Sequence, residues 1–381
     1  MGIWGNRRSE GSAPNDRKRA TDGFGTLRLI AAFCVIIDHT APLTKSGGSV
    51  LPAKFGVDLG AVTVSAFMVM SGYQVIQSWE RDPHLWRYFV KRALRILPGL
   101  AVVLALSVLV LGPVLTTLST GAYFNHPSTW RYFYDNLLIF PQTYSLPGVF
   151  AGNLYPNAVN GSLWSLPVEV LGYLLIAVFG VVGAIRRRWI VFLVALPLAV
   201  LFQRMMTGQF KPPAVFLMVP TLPLVQYLAM YCVGVLAYLY RDKIVYSWGG
   251  VALCVGVEWV MYASRTTEVT RLVTVPYIAL AIGMLLPKKL WLPPVVTGAS
   301  YGVYLYGFPT EQFVVLMGAK SELVLALVAV PIAFGLGLLS WHLVEKPALK
   351  LRKVLLRSKP KPQPQPPSVS APTVEFEPVK T

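Results

Sequence analysis

The chain has 381 residues, of which 55% are hydrophobic and 13% charged, against about 25% charged in a soluble domain. Most of it is therefore expected in lipid. The formal charge of +17 would suit a nucleic-acid binder, but the cations fall in short clusters between apolar runs. That is how orientation in a membrane is encoded, and it argues against nucleic acid as a partner.

Residues 1–22 carry Arg7, Arg8, Arg17, Lys18 and Arg19 without an apolar stretch. They read as a cytoplasmic tail rather than a cleavable signal peptide. A bilayer-spanning helix needs about 20 mostly apolar residues. Spans are expected near 24–41, 59–78, 96–116, 164–185, 189–203, 215–240, 247–264, 271–287, 295–317 and 323–345. This predicts an all-α polytopic membrane protein of about ten transmembrane helices, with both termini cytoplasmic. Its membrane domain covers 23–350, and a Pro-rich, disordered tail covers 351–381. In this layout 25 of the 34 Lys and Arg fall on the side of the N-terminus and eight on the other, with Arg28 inside the first span. That is the positive-inside asymmetry.

Ionisable side chains inside a span are costly and need a reason. The first span holds Arg28, Asp38 and His39. Eleven residues separate Arg28 from His39, three turns plus about 20°, so they share a helix face about 16 Å apart along the axis. Asp38 points about 100° away from His39. Arg92 and Arg95 stand at i and i+3 where the third span begins, and two guanidinium forks on one face suit a phosphate-rich ligand. The segment 117–163 is rich in aromatics, Tyr123, Tyr132, Tyr144 and Tyr155 among them. They read as an interfacial belt or as platforms for sugar rings. Asn160-Gly161-Ser162 matches a glycosylation sequon. Ser165 and Pro167 read as a helix start, which puts Glu169 one turn inside the fourth span, at a depth from which it can meet His39. His84, His126 and His342 fall in loops or near span ends and read as non-catalytic. Cys34, Cys232 and Cys254 read as small buried hydrophobes. No metal-ligand spacing is present. Glu345-Lys346-Pro347 reads as the stop of the last span.

Six segments together resemble acyltransferase family 3, whose members are membrane acyltransferases. Leu27-Arg28-Leu29-Ile30-Ala31-Ala32 through Asp38-His39, preceded by Asp22-Gly23, is similar to its first-helix motif. Ala66 to Tyr73 resembles its Ser-Gly-aromatic segment, and Arg92, Arg95 and Pro98 its paired-arginine motif. Leu163-Trp164-Ser165-Leu166 through Glu169, Ser300 to Tyr306, and Glu345-Lys346-Pro347 follow in the family's order. Where many relatives carry a His after the late aromatic run, this chain has Gly307.

The resemblance implies transfer of an acyl group, usually acetyl, from cytoplasmic acyl-CoA (acetyl-CoA or another short acyl-CoA) to a sugar hydroxyl of a polysaccharide or lipid-linked oligosaccharide. No permanently bound cofactor is implied, and the setting is the bacterial plasma (inner) membrane. On that expectation Arg28, Arg92 and Arg95 hold the donor and His39 is the general base or the acyl carrier. Glu169, better placed than Asp38, orients the imidazole. Ser71 and Tyr301 are candidate hydrogen-bond donors to the oxyanion or substrate. A transporter or flippase would also use buried charges, but no inverted repeat is visible.

Overall fold

The computed structural model describes residues 23–44, 50, 58–216, 219–261 and 267–356. The expected N-terminal tail, 1–22, lies outside the described residues, as do Lys45, Lys54, Arg265 and residues 357–381; the expected disordered tail at 351–381 is corrected at its start, which is helical to Leu355. The architecture is a helical bundle: α1 (Gly23–Thr44), α2 (Leu59–Arg81), α3 (Leu85–Leu115), short α4 (Thr120–Asn125) and α5 (Pro127–Leu137), then α6 (Ser165–Val181) and α7 (Phe192–Met206). A two-residue β-ribbon, Val215–Phe216 with Val219–Pro220, precedes α8 (Thr221–Leu239). Then come α9 (Trp248–Met261), α10 (Thr267–Leu285), α11 (Ser300–Leu316), α12 (Glu322–Ser340) and α13 (Lys346–Leu355).

Among the described residues, seven helical stretches are long and apolar enough to cross a membrane, so the protein is a multi-pass membrane protein. The expected spans at 247–264, 271–287 and 295–317 are also helical, as α9, α10 and α11. Two further expectations are corrected. The third helix begins at Leu85, not near 96, so Arg87 to Arg95 are helical; its 31 residues span about 46 Å, longer than a hydrocarbon core of about 30 Å. Glu345-Lys346-Pro347 does not end the last span. A π-turn over Trp341–Glu345 carries α12 into α13 without a break, and Pro347 follows this widened turn inside the continuous helix.

α2 is the hub, packed by α1, α8, α6 and α10. Lipid offers no hydrophobic drive between helices, so close backbone approach supplies the contact. A Cβ on Gly72 would strike the Tyr231 carbonyl, and one on Gly234 the Val69 carbonyl. Gly234→Val is therefore expected to destabilise by about 1–3 kcal/mol through overpacking, lowering the unfolding midpoint in detergent. Gly256→Val on α9, where an added Cβ meets nothing within 4 Å, should shift it far less.

Candidate functional site

A cavity of about 1170 Å³ opens between α1, α2, α3, α6 and α11 on the side of the bundle where Arg81, Arg92 and Arg352 cluster. Arg28, Lys91, Arg92, Arg95, Ser71 and Glu169 line it, with Tyr173, Tyr301 and Tyr304. The structure thus gathers six of the eight sequence-predicted site residues into one chamber.

Their states differ. The Arg28 guanidinium makes no hydrogen bond or ion pair among the described residues, and its Nε is shielded from solvent without a partner. Arg92 donates to Ser78 Oγ at 3.3 Å and lies over the rings of Tyr88 and Tyr173, 5.9 and 5.6 Å from their centroids. Arg95 is committed: its Nη1 pairs with Glu345 Oε2 at 3.1 Å, and it rests on the Tyr301 ring at 5.3 Å. Glu345, 2% exposed, also accepts from Ser340 Oγ at 3.1 Å. The Tyr301 hydroxyl donates to Ile96 O at 3.0 Å and is a framing group of the cavity.

Glu169 does not meet His39. It accepts from Ser71 Oγ at 3.3 Å and from the Tyr173 hydroxyl at 2.5 Å. The partner of His39 is Glu311 on α11: imidazole Nδ1 and carboxylate Oε2 lie 3.2 Å apart. Glu311 is fully buried, and its Oε1 has no hydrogen-bond partner among the described residues. The imidazole also stands edge-on to the Phe308 ring, centroids 5.3 Å apart. Phe308 and Glu311 are three residues apart, hence on one face of α11. Asp38 turns to the first turn of α2, its carboxylate beside Gly60, where a helix N-terminus favours negative charge.

Sequence reasoning missed Glu311, although the signal was present: an acidic residue inside an apolar helix, the rule that singled out Glu169. Which carboxylate meets the histidine depends on the azimuth of two helices, which depth does not give. At Gly307 an added Cβ would meet Ile36 of α1; the position packs α11 against the histidine helix.

His39 lies beyond the chamber. Phe67 and Tyr304, edge to face at 6.1 Å, stand at the end of the cavity nearest His39. Phe308 is one turn past Tyr304, so His39 sits about 6 Å further along. On its other side Phe308 approaches Tyr155, centroids 6.2 Å apart, and Tyr155 walls a second cleft with Tyr144, Trp164 and Asn157. The expected aromatic segment is thus divided. Tyr123 and Tyr132 are core residues at 0% exposure, while Tyr144 and Tyr155 face the cleft. Gln312 fastens this loop by donating to Tyr155 O and Ala158 O at 2.8 and 2.7 Å. Asn160 is fully buried and donates to Leu305 O at 2.9 Å, so the sequon is a structural staple and not an accessible acceptor.

This is a histidine held by a carboxylate, with a cationic chamber toward one side and an aromatic cleft toward the other, and it lines neither. Such a histidine can accept a proton or carry an acyl group. No solved structure matches the chain significantly. An O-acetyl transferase of Shigella phage Sf6 is 28% identical over 348 residues, 88% of this chain and 97% of that protein. Nodulation protein 10 of Rhizobium leguminosarum bv. viciae is 28% identical over 367 residues, 88% of this chain and 95% of that protein. The family model described as an acyltransferase domain matches residues 22–342, and with that match the chain belongs to acyltransferase family 3: it is a membrane acyltransferase that takes an acyl donor and a hydroxyl acceptor.

Proposed function

We propose that the protein moves an acetyl group from cytoplasmic acetyl-CoA to a sugar hydroxyl of a polysaccharide or lipid-linked oligosaccharide on the opposite side of the bacterial plasma membrane. The observation that carries this reading is the order of groups along α1. An unpartnered arginine stands in a cationic chamber, and a carboxylate-held histidine follows about 16 Å further on, a distance suited to a pantetheine arm. The phage relative's name supports acetyl as the group transferred, and the aromatic cleft beyond Phe308 supports a sugar acceptor.

In this reading Arg92 and Arg28 meet the diphosphate and upper arm of the donor, and Arg95 is positioned by Glu345. With Nδ1 turned to Glu311, Nε2 of His39 is the nitrogen left for chemistry. It takes the proton of the acceptor hydroxyl as that oxygen bonds to the thioester carbonyl carbon. The tetrahedral intermediate then expels the CoA thiolate, which receives the proton from His39. The products are the O-acyl sugar and CoA thiol. Passage of the thioester to His39 leads past Phe67 and Tyr304. The direct assay is CoA thiol release from acetyl-CoA by the purified protein, dependent on added glycan. Glycan movement into vesicles without CoA consumption would overturn the reading in favour of a transporter.

Two further results are expected. The ten-helix layout with both termini cytoplasmic follows from the positive-inside asymmetry, so reporter fusions near residues 90, 187, 242 and 289 should report inside and those near 130, 208 and 320 outside. An inside signal at 130 would refute it. Arg92→Ala should raise the KM for acetyl-CoA about tenfold or more, the scale of one charge-assisted hydrogen bond. Arg92→Lys should rescue only partly because Lys lacks the fork and stacks poorly on Tyr88 and Tyr173.

A further inference from the structure

A second cavity of about 900 Å³ lies at the basic end, and neither the motifs nor the reading above uses it. It shares Gln74, Lys91 and Arg352 with the main chamber, so the two adjoin. Its walls carry four cations, Arg81, Arg87, Lys91 and Arg352, against one carboxylate, Asp82. Asp82 is held by Lys91 and lies 3.4 Å from Arg87 Nε. Burial alone would push its carboxyl up, but these two cations outweigh that and hold it below the usual range. It therefore stays charged and cancels only one of the four. Arg81 and Arg352 are exposed and make no hydrogen bond or ion pair among the described residues.

Arg81 closes α2, Arg87 and Lys91 lie in the first turns of α3 just after it, and Arg352 comes from α13, which packs on α3. Arg352 belongs to α13, which follows the π-turn, and the C-terminal turn of α13 is held over the mouth where Arg87 Nη2 donates to Leu356 O at 3.4 Å. Gathering like charges at one mouth opposes folding unless a polyanion meets them. The main chamber beyond adds apolar walls, Val64, Phe67, Met68, Val75 and Ile96, to its cations, which suits an arm that follows a charged head. The adjoining spaces thus match a ligand with a phosphorylated head and a long tail.

We propose that this vestibule binds the 3′-phosphorylated adenosine end of the acyl-CoA donor, with Arg352 and Arg81 on the 3′-phosphate and Lys91 passing the diphosphate inward to Arg92. A phosphomonoester carries about −1.5 to −2 at neutral pH, so it is the densest charge on the donor and belongs where the unpaired guanidinium groups are. The proposal rests on the acyl-CoA reading and extends it to a subsite built partly from the C-terminal helix.

The test compares acetyl-CoA with acetyl-dephospho-CoA, which lacks only the 3′-phosphate, on the full chain in nanodiscs of neutral lipid. The wild type should prefer acetyl-CoA in KM by about tenfold or more. Arg352→Ala and Arg81→Ala should lose most of that preference, chiefly through a raised KM for acetyl-CoA. Equal KM values for both donors in the wild type would overturn the proposal. So would variants that weaken both donors equally, because the arginines would then act through the fold. Titration with adenosine 3′,5′-bisphosphate decides independently of turnover. Binding by the wild type that weakens in Arg352→Ala supports the subsite, and absence of binding by the wild type refutes it. Bisphosphate binding abolished by adding anionic lipid to the nanodiscs would assign the vestibule to lipid headgroups and also overturn it. If the wild type binds the bisphosphate but never releases CoA from acetyl-CoA, the donor reading fails while the anion subsite stands.

Discussion

His39→Gln is expected to abolish acyl transfer while leaving acetyl-CoA binding near wild type. The side chain keeps much of the shape of histidine but cannot accept a proton. Loss of a general base costs about 10²–10⁴-fold in rate, and a larger loss would indicate that His39 also carries the acyl group. Donor affinity should survive because the cationic chamber ends at Phe67 and Tyr304, a turn short of the imidazole. Arg28→Ala should give the opposite split, a raised KM for acetyl-CoA with a smaller change in kcat. Glu311→Gln should lower kcat strongly, because Glu311 orients the ring through Nδ1, whereas Glu169→Gln should perturb the chamber around Ser71 and Tyr173. The measurement is steady-state CoA release on protein shown folded by its unfolding midpoint. Folded His39→Gln protein with wild-type turnover would remove this residue from the chemistry. Loss of kcat in Glu169→Gln but not in Glu311→Gln would return the orienting role to Glu169.

Glu345→Gln should be the most destabilising single change at the site. Removing one member of a buried ion pair leaves the other charge uncompensated, at about 3–5 kcal/mol. Arg95 keeps some solvent contact, 28% side-chain exposure, which places the effect toward the lower bound. The same substitution weakens the Ser340 contact that secures the π-turn between α12 and α13. Replacing both partners, Arg95→Met with Glu345→Gln, should recover much of the stability, since a neutral pair carries no desolvation penalty. It should not recover the KM for acetyl-CoA, because the chamber has lost a cation. Thermal unfolding in detergent reads the first effect and CoA-release kinetics the second. A double variant with wild-type KM would make Arg95 a purely structural partner of Glu345.

The helical character of the membrane domain, most element positions and the depth of the buried charges were all legible in the chain. They are one-dimensional properties: apolar runs of spanning length, a period of 3.6 residues and the cost of charge in lipid. Arg28, Ser71, Arg92, Arg95, Glu169 and Tyr301 do line one chamber, because residues at matching depths on neighbouring helices have few other places to point. Local chemistry also read correctly at Ser165 and Pro167, where α6 opens. It misled at Pro347, because a proline that usually stops a helix is accommodated here behind a π-turn.

What only the tertiary structure decided was pairing. The depth of His39 is set by counting along α1, but its partner is set by which face α11 turns inward. That rotation follows from the close packing of α11 on α12, where a Cβ at Gly302 would strike the Gly337 backbone. It brings Glu311 rather than Glu169 to the imidazole. The same close packing, carried along α12 through the π-turn, delivers Glu345 to Arg95 and Arg352 to the vestibule. A sequence lists charges by depth, but the azimuth of each helix, and hence which charge is neutralised and which is left for a ligand, emerges only when all the interfaces are packed at once.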